Sequence, residues 1–163
     1  MNRFLFMLLL TTGPLCSVAQ PPADSVAITT LIRCETQAYL NRDAAGQAAC
    51  WASQTELSQR VSLGNGKLVV ASGSHAALCR GLTTYFKQLA DPERATFSHR
   101  DFRIRVRGEA AFVTFSQLMQ NTTTPDSHSQ QVRYLEREAG HWKIVHAGVM
   151  YYESAPDQPQ ANR

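Results

Sequence analysis

His146 stands in the run Trp142-Lys-Ile-Val-His-Ala-Gly-Val-Met150, with mostly apolar neighbours. An imidazole can act as acid, base or hydrogen-bond donor where a cavity wall holds it, because histidine titrates near neutrality. Regular alternation along a strand predicts one face carrying Trp142, Ile144, His146, Gly148 and Met150. Glu35 lies between Ile32 and Tyr39, near the apolar stripe of a helical repeat. A carboxylate buried there could serve as a base, or pair with an arginine such as Arg133. His146 and Glu35 are therefore the candidates for proton transfer. For each, a structural role outweighs a catalytic one: a core histidine bonded to a neighbour, and a carboxylate neutralised by an arginine.

Tyr39, Trp51, Tyr85 and Phe86 supply aromatic surface for a small, partly apolar ligand, or simply for the core. The two tyrosines are the better pocket candidates, because their hydroxyls need partners. With Arg133, His146 and Met150 they make up the candidate ligand-binding set. The histidines at 75, 99, 128, 141 and 146 show no metal-ligand spacing, so no metal is expected. No Ser-His-Asp order, phosphate loop or Cys-x-x-Cys occurs, and no cofactor is expected. Arg103, Arg105 and Arg107 alternate along one strand and read as a solvated outer row.

The chain has 163 residues and a formal net charge of +3, too little basic excess for a nucleic-acid partner. Arg3, the apolar run Phe4 to Leu10 and the small residues Ser17-Val-Ala19 have the form of a secretory signal over residues 1–19. Thr11-Thr-Gly-Pro14 breaks the run before it reaches the roughly 20 apolar residues of a membrane span. Cleavage after Ala19 or Gln20 predicts a periplasmic or secreted protein with no stable membrane span. Cys34, Cys50 and Cys79 then remain, an odd number. Three small buried residues on helices is the reading placed slightly ahead of one disulfide with a spare thiol.

These residues need elements to hold them. After the linker Gln20-Pro-Pro-Ala23, Asp24 or Ser25 can cap a helix reaching about Asn41, with Ile28, Leu31, Ile32 and Tyr39 on its apolar face. Asp43 caps a short helix through Trp51 or Ala52. Arg60 to Ser62 and Lys67 to Ala71 form a hairpin around Asn65-Gly66. Ser74 caps a third helix, which Asp91-Pro92 stops. Strands follow at Asp101 to Arg107, Ala110 to Met119, Gln131 to Glu138 and Trp142 to Tyr152. Asn121 to Ser129 reads as a long exposed loop, and residues 154–163 as a disordered tail. Helices set apart from an antiparallel meander define an α+β class, here a single domain over residues 20–153.

Arg133-Tyr-Leu-Glu-Arg137 with Gly140-His-Trp-Lys-Ile-Val-His146 is similar to the end of many domains of the nuclear-transport-factor-2-like superfamily, in its SnoaL-like branch. Asp101 to Val113 and Ala38-Tyr-Leu-Asn-Arg-Asp43 carry the same resemblance, which spans roughly Asp24 to Tyr152. It implies a cone: a curved antiparallel sheet wrapped around three N-terminal helices, with a pocket between the concave face and the first and third helices. It also implies a homodimer through the outer face of the sheet. The family holds isomerases, dehydratases, cyclases and subunits that only assemble, so it implies no reaction. The carboxylate pattern of its ketosteroid-isomerase-like members finds no match here. The expected function is an exported small-ligand-binding domain, ahead of a small acid–base enzyme using His146, Glu35 or both, and of a purely structural dimer module.

Overall fold

The computed structural model describes residues 23–63, 67–89, 95–121 and 125–152. The expected leader, the Gln20-Pro-Pro linker, the Asn65-Gly66 turn, the Asp91-Pro92 stop and the C-terminal tail lie outside the described residues.

Helix α1 (Ala23–Leu40) forms where Ile28, Ile32, Glu35 and Ala38 recur at intervals of three and four and so share one buried face. Ile28 and Ile32 are fully buried. Asp24 lies in the first turn, but its carboxylate engages the guanidinium of Arg137 and accepts from Trp142 Nε1 at 3.2 Å. The helix start is thus fastened to the far end of the sheet. Asp43 caps α2 (Ala44–Ala49), accepting from the Gly46 N–H. This helix ends sooner than expected. Cys50 accepts from the Ile144 N–H and Ala52 donates to the Ile144 carbonyl, both at 2.9 Å, so the chain around Trp51 pairs in parallel with the sheet at Ile144 instead. Ser74 caps α3 (His75–Gln88) through the Ala77 N–H.

The strands are β1 (Leu57–Ser62), β2 (Leu68–Gly73), β3 (Ala95–Arg107), β4 (Ala110–Asn121), β5 (Ser127–Glu138) and β6 (His141–Tyr152). They form one curved, unclosed sheet in the order β2-β1-β6-β5-β4-β3. All pairs are antiparallel except β1 with β6, which is parallel. Ala139 and Gly140 both have positive φ and make the tight turn between β5 and β6. β3 starts well before Asp101. The expected loop from Asn121 to Ser129 is strand at both ends, since β4 runs to Asn121 and β5 starts at Ser127.

Two irregularities decide which side chains face inward. In the β5–β6 pair, Tyr134 opposes His146 and Leu135 opposes Ile144, which leaves Val145 unopposed. One extra residue reverses the side-chain alternation beyond it. Trp142 and Ile144 are buried before the bulge, and Val145, Ala147 and Val149 are buried at and after it. His146, Gly148 and Met150 consequently face outward, so the expected shared face with Trp142 does not exist. A second register shift, between Arg100 and Arg103, includes Asp101 at φ 57. It turns Phe102, Ile104 and Val106 onto the core while Arg103, Arg105 and Arg107 stay exposed.

Candidate functional site

The concave face carries two environments. Under the wide part of the sheet is a polar chain. Ser129, Gln131 and Arg133 alternate inward along β5. Gln131 Nε2 donates to Ser129 Oγ at 2.8 Å, and Arg133 Nη1 donates to Gln131 Oε1 at 2.9 Å. Arg133 Nη2 then meets Glu35 Oε2 of α1 at 3.3 Å. Both side chains are at least nine-tenths buried, and the guanidinium also lies over the Phe115 ring, 5.5 Å from its centre. Glu35 is thus neutralised by Arg133.

Next to this pair, His99 Nε2 lies 3.1 Å from Gln117 Oε1 and 3.2 Å from Thr36 Oγ1. Burial pushes the imidazole below its ordinary 6.5, against the opposing hydrogen bond to Gln117; Arg33 and Arg133 add to the lowering and Glu35 opposes it. The folded value therefore sits below the unfolded one, and the unfolded chain binds more protons as pH falls. The stability that neutral His99 contributes is full above about pH 6.5 and is lost as pH drops through the folded value. The urea midpoint is expected to fall on acidification from about pH 7.5 to about pH 5, and to fall less steeply in His99→Gln. Equal slopes for both proteins would contradict this assignment. Sequence reasoning missed His99, which sits on the part of β3 that precedes the bulge.

The second environment is a cavity of about 540 Å³ beneath the β1–β2 hairpin. α3 forms one side through Leu78, Gly81 and Leu82, and Leu57 lies across from them. Tyr39, Trp51 and Tyr85 line it as well, so three of the aromatic candidates come together here. Tyr39 and Tyr85 hydroxyls lie 3.3 Å apart, with ring centres 6.5 Å apart. Trp51 is 4% exposed, and its Nε1 is buried without a hydrogen-bond partner in the structure. Gln47, on α2, also lines the cavity, and its Oε1 is likewise buried without a partner.

The remaining candidates lie elsewhere. Phe86 is buried behind the cavity wall, its ring centre 5.8 Å from that of Tyr39. Arg133 is held in the ion pair. Met150 is half exposed on the outer face. His146 Nδ1 lies 2.8 Å from Ser58 Oγ, across the parallel β1–β6 pair, on the face opposite Glu35. The expected acid–base pair of Glu35 and His146 therefore does not form: a general base must reach its proton, and the sheet separates the two.

Among the cysteines, Cys34 is exposed, Cys79 is half-buried and Cys50 is buried, all as free thiols. The expectation of three buried cysteines fails at Cys34, which occupies the solvent side of α1. Burial, with Glu35 nearby, pushes the Cys50 thiol up to about 11, which keeps it protonated and unreactive.

Solved structures with this arrangement settle the fold. An NTF2-like protein of unknown function from Pseudomonas putida superposes with a TM-score of 0.62 at 16% identity, over 89% of this chain and 95% of that one. A ketosteroid isomerase-like protein from Erwinia carotovora atroseptica gives 0.57 at 14% identity, over 82% and 99%. The chain has the NTF2-like fold. A proposed dehydratase of the NTF2-like family from Streptomyces avermitilis gives 0.64 at 16% identity, over 83% and 100%. No protein-family model matches the sequence, and no curated protein matches it as a relative. At these identities the NTF2-like fold is shared and the chemistry of the neighbours is not thereby transferred.

Proposed function

We propose that the chain is an exported, SnoaL-like binding protein that holds a small, partly apolar ligand in the cavity under the β1–β2 hairpin. The observation that carries this reading is the cavity itself. At about 540 Å³ it falls within the size of small-ligand sites, roughly 300–1,000 Å³. Aromatic and aliphatic side chains surround it, with a few polar groups among them, as such sites require. Binding is favoured over acid–base catalysis because Glu35 is neutralised by Arg133 and His146 lies on the other face. A purely structural module would have side chains filling this space. The leader-like residues 1–19 support export to the periplasm or beyond.

The test is titration of the purified protein with N-phenyl-1-naphthylamine, an uncharged dye that fluoresces in apolar surroundings. Saturable binding at one dye per chain is the expected result. Folded protein that gives no saturable signal would overturn the reading.

The outer face supports a homodimer as the partner. Phe112, Tyr134 and His146 lie in one row across it, and Met150 follows four residues later on β6. Phe112 is 48% exposed and Met150 52%. Large apolar groups on one sheet face are better covered than solvated, and a second copy is the commonest cover. Sedimentation equilibrium is expected to give a dimer for the native chain and a monomer for the Phe112→Asp, Met150→Asp double variant. A monomeric native chain would exclude this interface.

A further inference from the structure

The cavity's lining restricts the chemistry of what it can hold, and this step rests on the binding reading above. Among the described residues that line it, none is Asp, Glu, His, Lys or Arg. A charged ligand group held against the buried Trp51 side chain would lose its water without gaining a counter-charge, which costs far more than burying a neutral polar group. The body of the ligand meets Leu57, Leu78, Leu82 and the aromatic rings.

Two polar atoms remain to be satisfied. Trp51 Nε1 can only donate, and Gln47 Oε1 can only accept. Both are buried without a partner in the structure. Leaving such atoms unpaired is costly, and most buried polar groups in folded proteins are paired. The two residues are four apart in sequence and line the same cavity.

We infer that the cavity takes an uncharged molecule with an apolar body, whose polar end accepts a hydrogen bond from Trp51 Nε1 and donates one to Gln47 Oε1. A hydroxyl or a primary amide meets both demands. A carboxylate accepts from the indole but meets no cationic side chain among the described lining residues. An ammonium donates to Gln47 but offers the indole nothing. A pure hydrocarbon leaves both atoms unpaired.

Three probes of nearly equal shape separate these cases: 2-naphthamide, 2-naphthoate and 2-methylnaphthalene. Affinity is measured by titration, and the Trp51 indole N–H resonance, identified by its loss in Trp51→Phe, reports the contact. The amide is expected to bind at least about ten-fold more tightly than either other probe, the worth of one to two hydrogen bonds. It is expected to shift the Trp51 resonance, and the preference is expected to shrink about ten-fold in Gln47→Leu, whose fold is checked by its melting temperature. Naphthoate binding as tightly as the amide would overturn the inference and leave the binding reading standing. Equal binding of 2-methylnaphthalene would overturn the role of the two polar atoms. Failure of all three to bind folded protein would count against the binding reading itself.

Discussion

Glu35→Ala lowers the free energy of unfolding by about 3–5 kcal/mol, the usual cost of stripping one partner from a buried ion pair. The variant leaves Arg133 Nη2 without its carboxylate in a site where Arg133 Nε already has no partner. Gln131 and the Val132 carbonyl still accept from Nη1, at 2.9 and 3.0 Å, but neither carries charge. Replacing both members, as in Glu35→Leu with Arg133→Met, removes the orphaned charge and is expected to recover most of the loss, because apolar packing often equals a buried pair in stability. Urea denaturation of the native chain, the single variant and the double variant measures both effects. A single-variant loss under about 1 kcal/mol would show that water or another group already compensates Arg133, against the pairing described above. The same cycle separates structure from catalysis, because the account gives Glu35 the task of holding α1 on the sheet.

Gly81→Phe abolishes ligand binding without weakening the fold. Gly81 lies inside α3, lines the cavity, and would meet nothing within 4 Å if it carried a Cβ. A benzyl group there enters space that the binding account reserves for the ligand. Glycine in a helix interior costs about 1 kcal/mol relative to alanine, and phenylalanine costs less than glycine, so the backbone loses nothing by the change. Dye affinity is expected to fall at least about ten-fold, about 1.4 kcal/mol, while the melting temperature holds or rises. Unchanged affinity in a folded variant would place the dye elsewhere. The Gly81→Ala control keeps the cavity open and is expected to bind as the native chain does.

The architecture was legible in the sequence because it is written in periodicities. Ile28, Ile32 and Ala38 mark the buried side of α1, and Asp43 and Ser74 cap the helices they precede. Phe102, Ile104 and Val106 against three arginines mark a strand with one wet face. The pairing of Glu35 with Arg133 was one of the alternatives the residues left open. The failures share a cause. Alternation assigns faces correctly only until a bulge, and a single added residue then moves every later side chain across the sheet. The adjacent apolar pair Ile144-Val145 was the available sign: both are buried, which regular alternation forbids on a sheet with one wet face. His146 and Met150 were assigned to the pocket for want of that sign. The pocket itself is formed by residues distant in sequence, from Tyr39 and Gln47 to Gly81 and Tyr85. Gln47 and Gly81 are unremarkable in any local pattern, and only the space enclosed between α2, α3 and the β1–β2 hairpin gives them a role.

The central claim is that this cavity is occupied in the working protein. The most direct measurement is mass spectrometry of small molecules released from the protein purified from its own host, native chain beside Gly81→Phe. The account predicts a molecule that leaves with the native chain and is missing from the filled variant. Folded native protein that releases nothing, or the same molecules in equal amount from both proteins, would contradict it.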